Sequence, residues 1–216
     1  MKDNRDSMIR KYRLFSVFYD NAFRALENLV FIDKVKNPRL ALAGRIPDEK
    51  LEILDVCCGS GNGVLAVVRP NHRIIGVDVS PDMLALARRK QEKLGLRNVE
   101  FVEMDAGKMT FPDGRFDIAM CWFGLHEMEY DLMMYILRDV NRVLKDGGRF
   151  YIIDYENDTN RARQLLFRMY LRVCYPAHVR EFIEYDWKSI LAQTGFRLDF
   201  TERYTISKLT CAVKGP

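Results

Sequence analysis

No stretch of this 216-residue chain approaches the ~18 consecutive apolar residues that a bilayer-spanning helix needs. The N-terminus lacks the basic segment and following apolar run of a secretory signal. None of the five cysteines, Cys57, Cys58, Cys121, Cys174 and Cys211, belongs to a CxxC pair, which speaks against a zinc site. Three lie in strongly apolar strand-like runs and read as reduced, buried thiols used as small hydrophobes. No metal site is predicted. Internal repeats, low-complexity tracts and a dense basic tail are all missing. A net charge of +4 does not by itself indicate a nucleic-acid partner. A cytoplasmic protein without a transmembrane segment is expected.

With 48% hydrophobic and 30% charged residues, the chain can bury a sizeable core. Its length favours one domain, with at most a small lid. Residues 14–36 mix aromatic and aliphatic side chains at helix-like spacing, until Pro38 and Gly44-Arg45-Ile46-Pro47 break the pattern. Residues 1–48 therefore read as an N-terminal helical segment or lid, and residues 49–216 as the main domain.

From residue 51 the period changes. Short apolar runs at 51–57, 73–78, 99–104, 116–121 and 149–154 alternate with amphipathic segments at 62–69, 81–94, 130–144 and 159–173. Such alternation predicts βαβ units and a mostly parallel sheet covered on both faces. A short helix at 186–194, closed by Gly195, precedes strands at 196–202 and 205–213. So short a link forces those two strands to be antiparallel.

The segment Ile53-Leu54-Asp55-Val56-Cys57-Cys58-Gly59-Ser60-Gly61-Asn62-Gly63 runs a buried strand into a glycine-rich turn and then a helix. Gly59 and Gly61 allow a tight turn and close approach of a ligand. Asp78 ends the next strand, where an acid can accept both hydroxyls of an adenosine ribose. Dinucleotide sites prefer G-x-G-x-x-G, with pyrophosphate on the helix N-terminus. Here the pattern is G-x-G-x-G, and Asp55 precedes it. That carboxylate would repel a pyrophosphate and suits a ligand carrying an ammonium group, such as the methionine part of S-adenosylmethionine.

ILDVCCGSGNG resembles motif I of class I S-adenosylmethionine-dependent methyltransferases, with Cys57 where glycine is usual. The Cys-Cys-Gly variant is similar to some menaquinone-biosynthesis C-methyltransferases. GVDVSPDML (76–84), VEFVEMDAGKMTFPDGRFDIAMC (99–121), LKDGGRFYIIDY (144–155) and YDWKSILAQTGF (185–196) resemble the later motifs, so the likeness covers residues 50–213. It implies an α/β fold: a seven-stranded, mostly parallel Rossmann-like sheet of order 3-2-1-4-5-7-6, strand 7 antiparallel, with helices on both faces. It implies S-adenosylmethionine as cofactor and S-adenosylhomocysteine as product. Asp105 and Ala106 match the adenine contacts, Met83 the segment flanking the adenine, and Tyr19, followed by Asp20, a pair placed over the cofactor's carboxylate. Asp55, Gly59, Gly61, Asp78 and Cys121 complete the expected cofactor set.

Candidate catalytic residues are His126, His178 and Tyr175. His126 follows the fourth strand, where ligands bind in open α/β sheets, and is a potential general base. His178 and Tyr175 lie in the insert before the last helix, where this family's substrates usually sit. Arg161, Arg168 and Arg172 fall on one helical face of that insert, opposite Leu165, Leu166, Met169 and Val173. The commoner reading makes the arginines a solvated polar face; an anionic substrate or a membrane surface stays open as a peripheral partner.

The expected acceptor is a small, lipophilic molecule, such as a quinone precursor. Cys121-Trp122-Phe123-Gly124 stands where a base-flipping Asn-Pro-Pro-Tyr motif would be, which disfavours nucleic acid. RNA or protein methylation, a non-catalytic S-adenosylmethionine-binding regulator and, more remotely, a nicotinamide-dependent oxidoreductase remain as alternatives. A monomer or a homodimer is expected.

Overall fold

The computed structural model describes residues 38–157 and 160–215. Seven strands form one sheet: β1 (Leu51–Val56), β2 (His72–Asp78), β3 (Val99–Glu103), β4 (Phe116–Trp122), β5 (Leu144–Tyr155), β6 (Phe196–Arg203) and β7 (Ser207–Lys214). Their order is β3-β2-β1-β4-β5-β7-β6. β1, β2, β3, β4 and β5 pair in parallel, while β7 runs antiparallel to both β5 and β6. The order and the antiparallel finish are those the resemblance implies.

Side chains alternate across the strands and feed two cores. Leu54 and Val56, Ile75 and Val77, and Ala119 and Cys121 face one side, where α4 (Tyr130–Val143) and α7 (Trp187–Gln193) cover them. Ile53, Ile74, Ile118 and Met120 face the other, against α1 (Pro38–Ala43), α2 (Asn62–Val67) and α3 (Pro81–Leu94). Both faces are buried, as a parallel sheet requires.

Local signals set the helix ends. Ser80 caps α3 by accepting the Met83 amide, Pro81 opens it, and Gly95 closes it in the left-handed conformation. Asp186 caps α7 through the Ser189 amide. Pro38 behaves differently from the expected break. It begins α1, at a helix start where a missing N–H costs nothing, and Leu42 and Ile46 drop into the second core.

A third cluster lies under α5 (Arg161–Cys174) and α6 (Ala177–Ile183), the latter without a counterpart in the sequence reading. Phe167 and Leu171 anchor α5 against Tyr155, Val179, Ile183 and Ile206. The buried stripe of α5 is therefore Phe167 and Leu171. Leu165, Leu166 and Met169 do not face the core; they are exposed, as are Arg161, Arg168 and Arg172. The spacing of the apolar residues fits two stripes, and the aromatic Phe167 takes the buried one.

The glycine turn after β1 is sterically exacting. Gly61 has φ +77°, and a Cβ there would meet Phe101 Cζ at 2.8 Å and Ala87 Cβ at 3.2 Å. Packing of α2 and α3 on the sheet thus demands glycine before any ligand is considered. Gly61→Ala is expected to destabilise the fold by about 1–3 kcal/mol in urea unfolding, through strain plus overpacking. A change below about 0.5 kcal/mol would show that the turn relaxes around a methyl group.

Candidate active site

The carboxyl ends of β1, β2, β4 and β5 deliver five acidic or basic groups to one region. Asp78, at the end of β2, ties two turns together. Its Oδ2 accepts the Gly59 amide at 2.8 Å and its Oδ1 the Ser80 amide at 2.9 Å. A carboxylate has room for further donors at both oxygens. Burial pushes the Asp78 carboxyl up, and the Ser80, Gly59 and Val79 amides pull it back. From α3, Lys90 braces the same turn, donating to the Ser60 carbonyl (3.2 Å), Ser60 Oγ (3.0 Å) and Asn62 Oδ1 (3.1 Å). Met83 lies against the turn as well: a Cβ at Gly59 would sit 3.2 Å from its Cε.

Asp55, on β1, is buried, and neither of its carboxylate oxygens has a hydrogen-bond partner among the described residues. Burial, then the charge of Asp78, raises its carboxyl well above the usual range, and the nearby Val64 amide, which does not meet hydrogen-bond geometry, pulls it back. The indole Nε1 of Trp122 is likewise buried and unpaired. Both groups crowd Gly63, where a Cβ would stand 2.8 Å from Asp55 Oδ2 and 2.8 Å from Trp122 Nε1. Unpaired buried polar groups cost about 1–3 kcal/mol each, so this corner is built for a partner that donates and accepts.

Two non-glycine residues adopt left-handed backbone here: Cys57, φ +56°, after β1, and Phe123, φ +50°, after β4. Cys57 stands where the motif usually has glycine, and its backbone keeps the conformation that glycine would favour. A Cβ on Gly124 would meet Cys57 Cβ and Cys121 Sγ, each at 2.9 Å, so the two turns touch. Cys121 is buried at the end of β4; its hydrogen bond with Cys57, and then burial, push its thiol up.

Beyond β4 a short 3-10 turn, Leu125–Glu127, carries His126. His126 Nδ1 lies 2.7 Å from Asp154 Oδ1, and Nε2 lies 3.5 Å from Glu127 Oε1. Asp154, fully buried near the end of β5, also accepts the amides of Leu125 (3.1 Å), His126 (3.2 Å) and Tyr155 (2.8 Å). Burial disfavours the imidazolium, but Asp154, aided by Glu127, outweighs it and lifts the pKa to about 9. At neutral pH the ring is therefore held as imidazolium.

Aromatic rings wall this pair. Tyr155, Tyr175 and Phe182 lie 4.5, 5.9 and 6.2 Å from His126 between ring centroids. The Tyr155 and Tyr175 hydroxyls are 3.3 Å apart. The structure thus joins Tyr175 to His126, as two of the three catalytic candidates. Among the described residues, His178, on α6, has no ring contact with that cluster, and its buried Nε2 has no hydrogen-bond partner. Asp105 follows β3 and folds its own turn, Oδ1 accepting the Gly107 amide at 2.9 Å, with Ala106 buried beside it. Tyr19 and Asp20 lie outside the described residues. Among the described residues no cluster fit to hold a metal ion occurs. Sequence reasoning missed Asp154 and Trp122. Asp154 had a legible signal, an acid closing an apolar strand as Asp78 does; Trp122 had none.

The geometry therefore describes a Rossmann-like sheet with a glycine turn, an acid at the end of β2 that ties two turns together, and a buried acid on β1. Residues 53–148 match the model of a methyltransferase domain. The chain is 30% identical to a demethylmenaquinone methyltransferase of Lactococcus lactis, over 74% of this chain and 63% of that one. It is 31% identical to a demethylmenaquinone methyltransferase of Bacillus cytotoxicus, over 69% and 66%. The chain thus spans less than two thirds of the length of these curated relatives. The crystal structure of a SAM-dependent methyltransferase from Aquifex aeolicus superposes with TM-score 0.69 at 23% identity, covering 96% of this chain and 97% of that one. Residues 53–148 thus form a domain of the methyltransferase type, on a fold shared with that SAM-dependent methyltransferase.

The raised pKa of His126 makes a stability prediction. Its folded value, about 9, lies above the ordinary imidazole value of 6.5, so its contribution is full below pH 6.5 and fades as pH rises through 9. His126→Gln is expected to show a stability deficit whose pH-dependent part, on the order of 3 kcal/mol, disappears across that window. Urea unfolding at a series of pH values reads it; a deficit flat from pH 6 to about 9 would mean that the imidazole is neutral in the fold.

Proposed function

We propose that this chain transfers a methyl group from S-adenosylmethionine to a small lipophilic acceptor bearing an ionisable hydroxyl, of the quinol class. The observation that carries the cofactor half is the buried Asp55 carboxylate, unpaired beside the Asp78-braced turn. An ammonium group is the donor such a carboxylate lacks. In this reading Asp55 holds the ammonium of the amino-acid part and Asp78 the ribose hydroxyls. Met83, Asp105 and Ala106 flank the adenine, Gly59 and Gly61 shape the turn, and Cys121 lines the pocket. Tyr19, outside the described residues, is assigned to the carboxylate. When bound, the cofactor supplies an electrophilic methyl on a sulfonium, transferred in line to the acceptor with S-adenosylhomocysteine leaving.

The acceptor half rests on His126 and on the relatives, which are demethylmenaquinone methyltransferases. Activating a phenolic ring requires removal of its hydroxyl proton. His126, oriented by Asp154 and flanked by Glu127, is the group placed to take it once the imidazolium has lost its own proton at alkaline pH. Tyr155, Tyr175 and Phe182 supply an aromatic wall for a flat acceptor. Because His126 titrates near 9, turnover should rise with pH up to about 9. Asp154→Asn should cut turnover by about 10²–10⁴-fold and move that inflection downward, since the charge that holds the proton is gone. A flat pH profile in both proteins would remove His126 from the reaction.

Cofactor binding is read separately, by thermal unfolding. S-adenosylhomocysteine at a hundred times its dissociation constant should add about 2.7 kcal/mol, and NADH nothing. Asp78→Ala should lose the response. Asp55→Asn should melt no lower than wild type without ligand, because a desolvated carboxylate is gone, yet lose most of the response. A lowered melting temperature with an intact response would make Asp55 a support of the turn instead.

A further inference from the structure

Exposure of large apolar side chains is concentrated in one place. Leu165, Leu166 and Met169 of α5 are 62, 57 and 56% exposed, three of the seven such residues among those described. At about 100° per residue, Leu165 and Met169 stand roughly opposite Phe167 and Leu171, which anchor the helix. Arginines bracket the outer stripe: Arg161, Arg168 and Arg172 along one flank, Arg163 along the other. All four are exposed. The helix, RARQLLFRMYLRVC, carries no acidic residue. Arg168 is tied to Glu184, just after α6, at 2.6 Å, whereas Arg161 and Arg172 have no ion pair among the described residues.

A solvated helix would spend its outer face on polar groups. This one presents an apolar stripe between two cationic edges, the pattern of a helix lying in a lipid interface. A second copy of the chain would set the same cationic helix against itself across a two-fold axis, which like charges oppose. None of the described helices is long and apolar enough to cross a bilayer, so the contact is with a surface. We infer that α5 docks on an anionic phospholipid bilayer, sinking Leu165, Leu166 and Met169 among the acyl chains while its arginines meet the phosphates. Arginine stems reach upward along the apolar stripe to do so.

The placement has a consequence for the site. Phe167, on the underside of α5, is 5.4 Å from the Tyr155 ring, which is 4.5 Å from His126. Two ring contacts therefore separate the docking helix from the proton-handling pair. An acceptor dissolved in the bilayer would reach the site without crossing water. The inference stands on α5 alone and does not require the proposed chemistry.

Co-sedimentation of the full chain with vesicles tests it, using phosphatidylcholine alone and phosphatidylcholine mixed with phosphatidylglycerol. Binding is expected to the mixed vesicles, at least about tenfold stronger than to phosphatidylcholine alone, and to weaken with salt. The triple variant Leu165→Asn/Leu166→Asn/Met169→Asn should lose about tenfold or more in partitioning, and so should Arg161→Glu/Arg172→Glu. Both variants should keep the thermal response to S-adenosylhomocysteine, which shows that they fold and keeps this test apart from that of the cofactor. Equal partitioning of wild type and both variants, or no vesicle binding at all, would overturn the inference. So would a concentration-dependent dimer that the triple variant abolishes, since a second copy would then be what covers the stripe.

Discussion

A carboxylate held in a dry interior with nothing to accept from is an expensive arrangement, and the region around β1 is organised about it. Asp55 sits at the point where the sheet's most buried strand meets the glycine turn. Gly63 has no Cβ because Asp55 and Trp122 occupy that space. Cys57 accepts left-handed backbone so that the chain can turn immediately after the strand. Lys90 and Asp78 then clamp the turn from α3 and β2. Each of these features costs stability or freedom locally and is sustained by two well-packed cores.

The same logic recurs one strand over. β5 ends in Asp154 as β2 ends in Asp78, and both acids fold a turn by accepting backbone amides. They differ in what else they meet. Asp78 faces no cation among the described residues, whereas Asp154 is in contact with His126. Sheet topology places the two acids on either side of β1 and β4, and the proposed function gives one to binding and the other to proton control. Fold alone does not specify chemistry; here the distinction lies in those two contacts.

Much of this was legible in the sequence. The alternation of apolar runs and amphipathic segments marks β1 to β5, because burial on both faces leaves continuous apolar stretches, while the short link after residue 202 marks the closing antiparallel pair, whose edge strand β6 alternates in burial. Asp55, Asp78 and the glycines are readable because their spacing is tied to a strand and a helix start. The orientation of α5 was not. Its apolar residues populate two faces, and periodicity cannot say which one the core takes; Phe167 and Leu171 decide it by packing on Tyr155. The Asp154–His126 pair was half visible, since the residues come from strands that only the folded sheet makes adjacent, 28 positions apart in the chain. Pro38 shows the limit of a breaker signal, because proline both stops a helix and starts one.

The central claim is that Asp55 is unpaired because it awaits a ligand's ammonium group. Calorimetric titration with S-adenosylhomocysteine and with 5′-methylthioadenosine, which lacks the amino-acid part, tests it most directly when run on wild type and on Asp55→Asn. The account predicts that wild type prefers S-adenosylhomocysteine by about 100-fold, the worth of a charge-assisted contact of roughly 2–3 kcal/mol, and that the variant loses most of that preference. A preference of the same size in both proteins would contradict it.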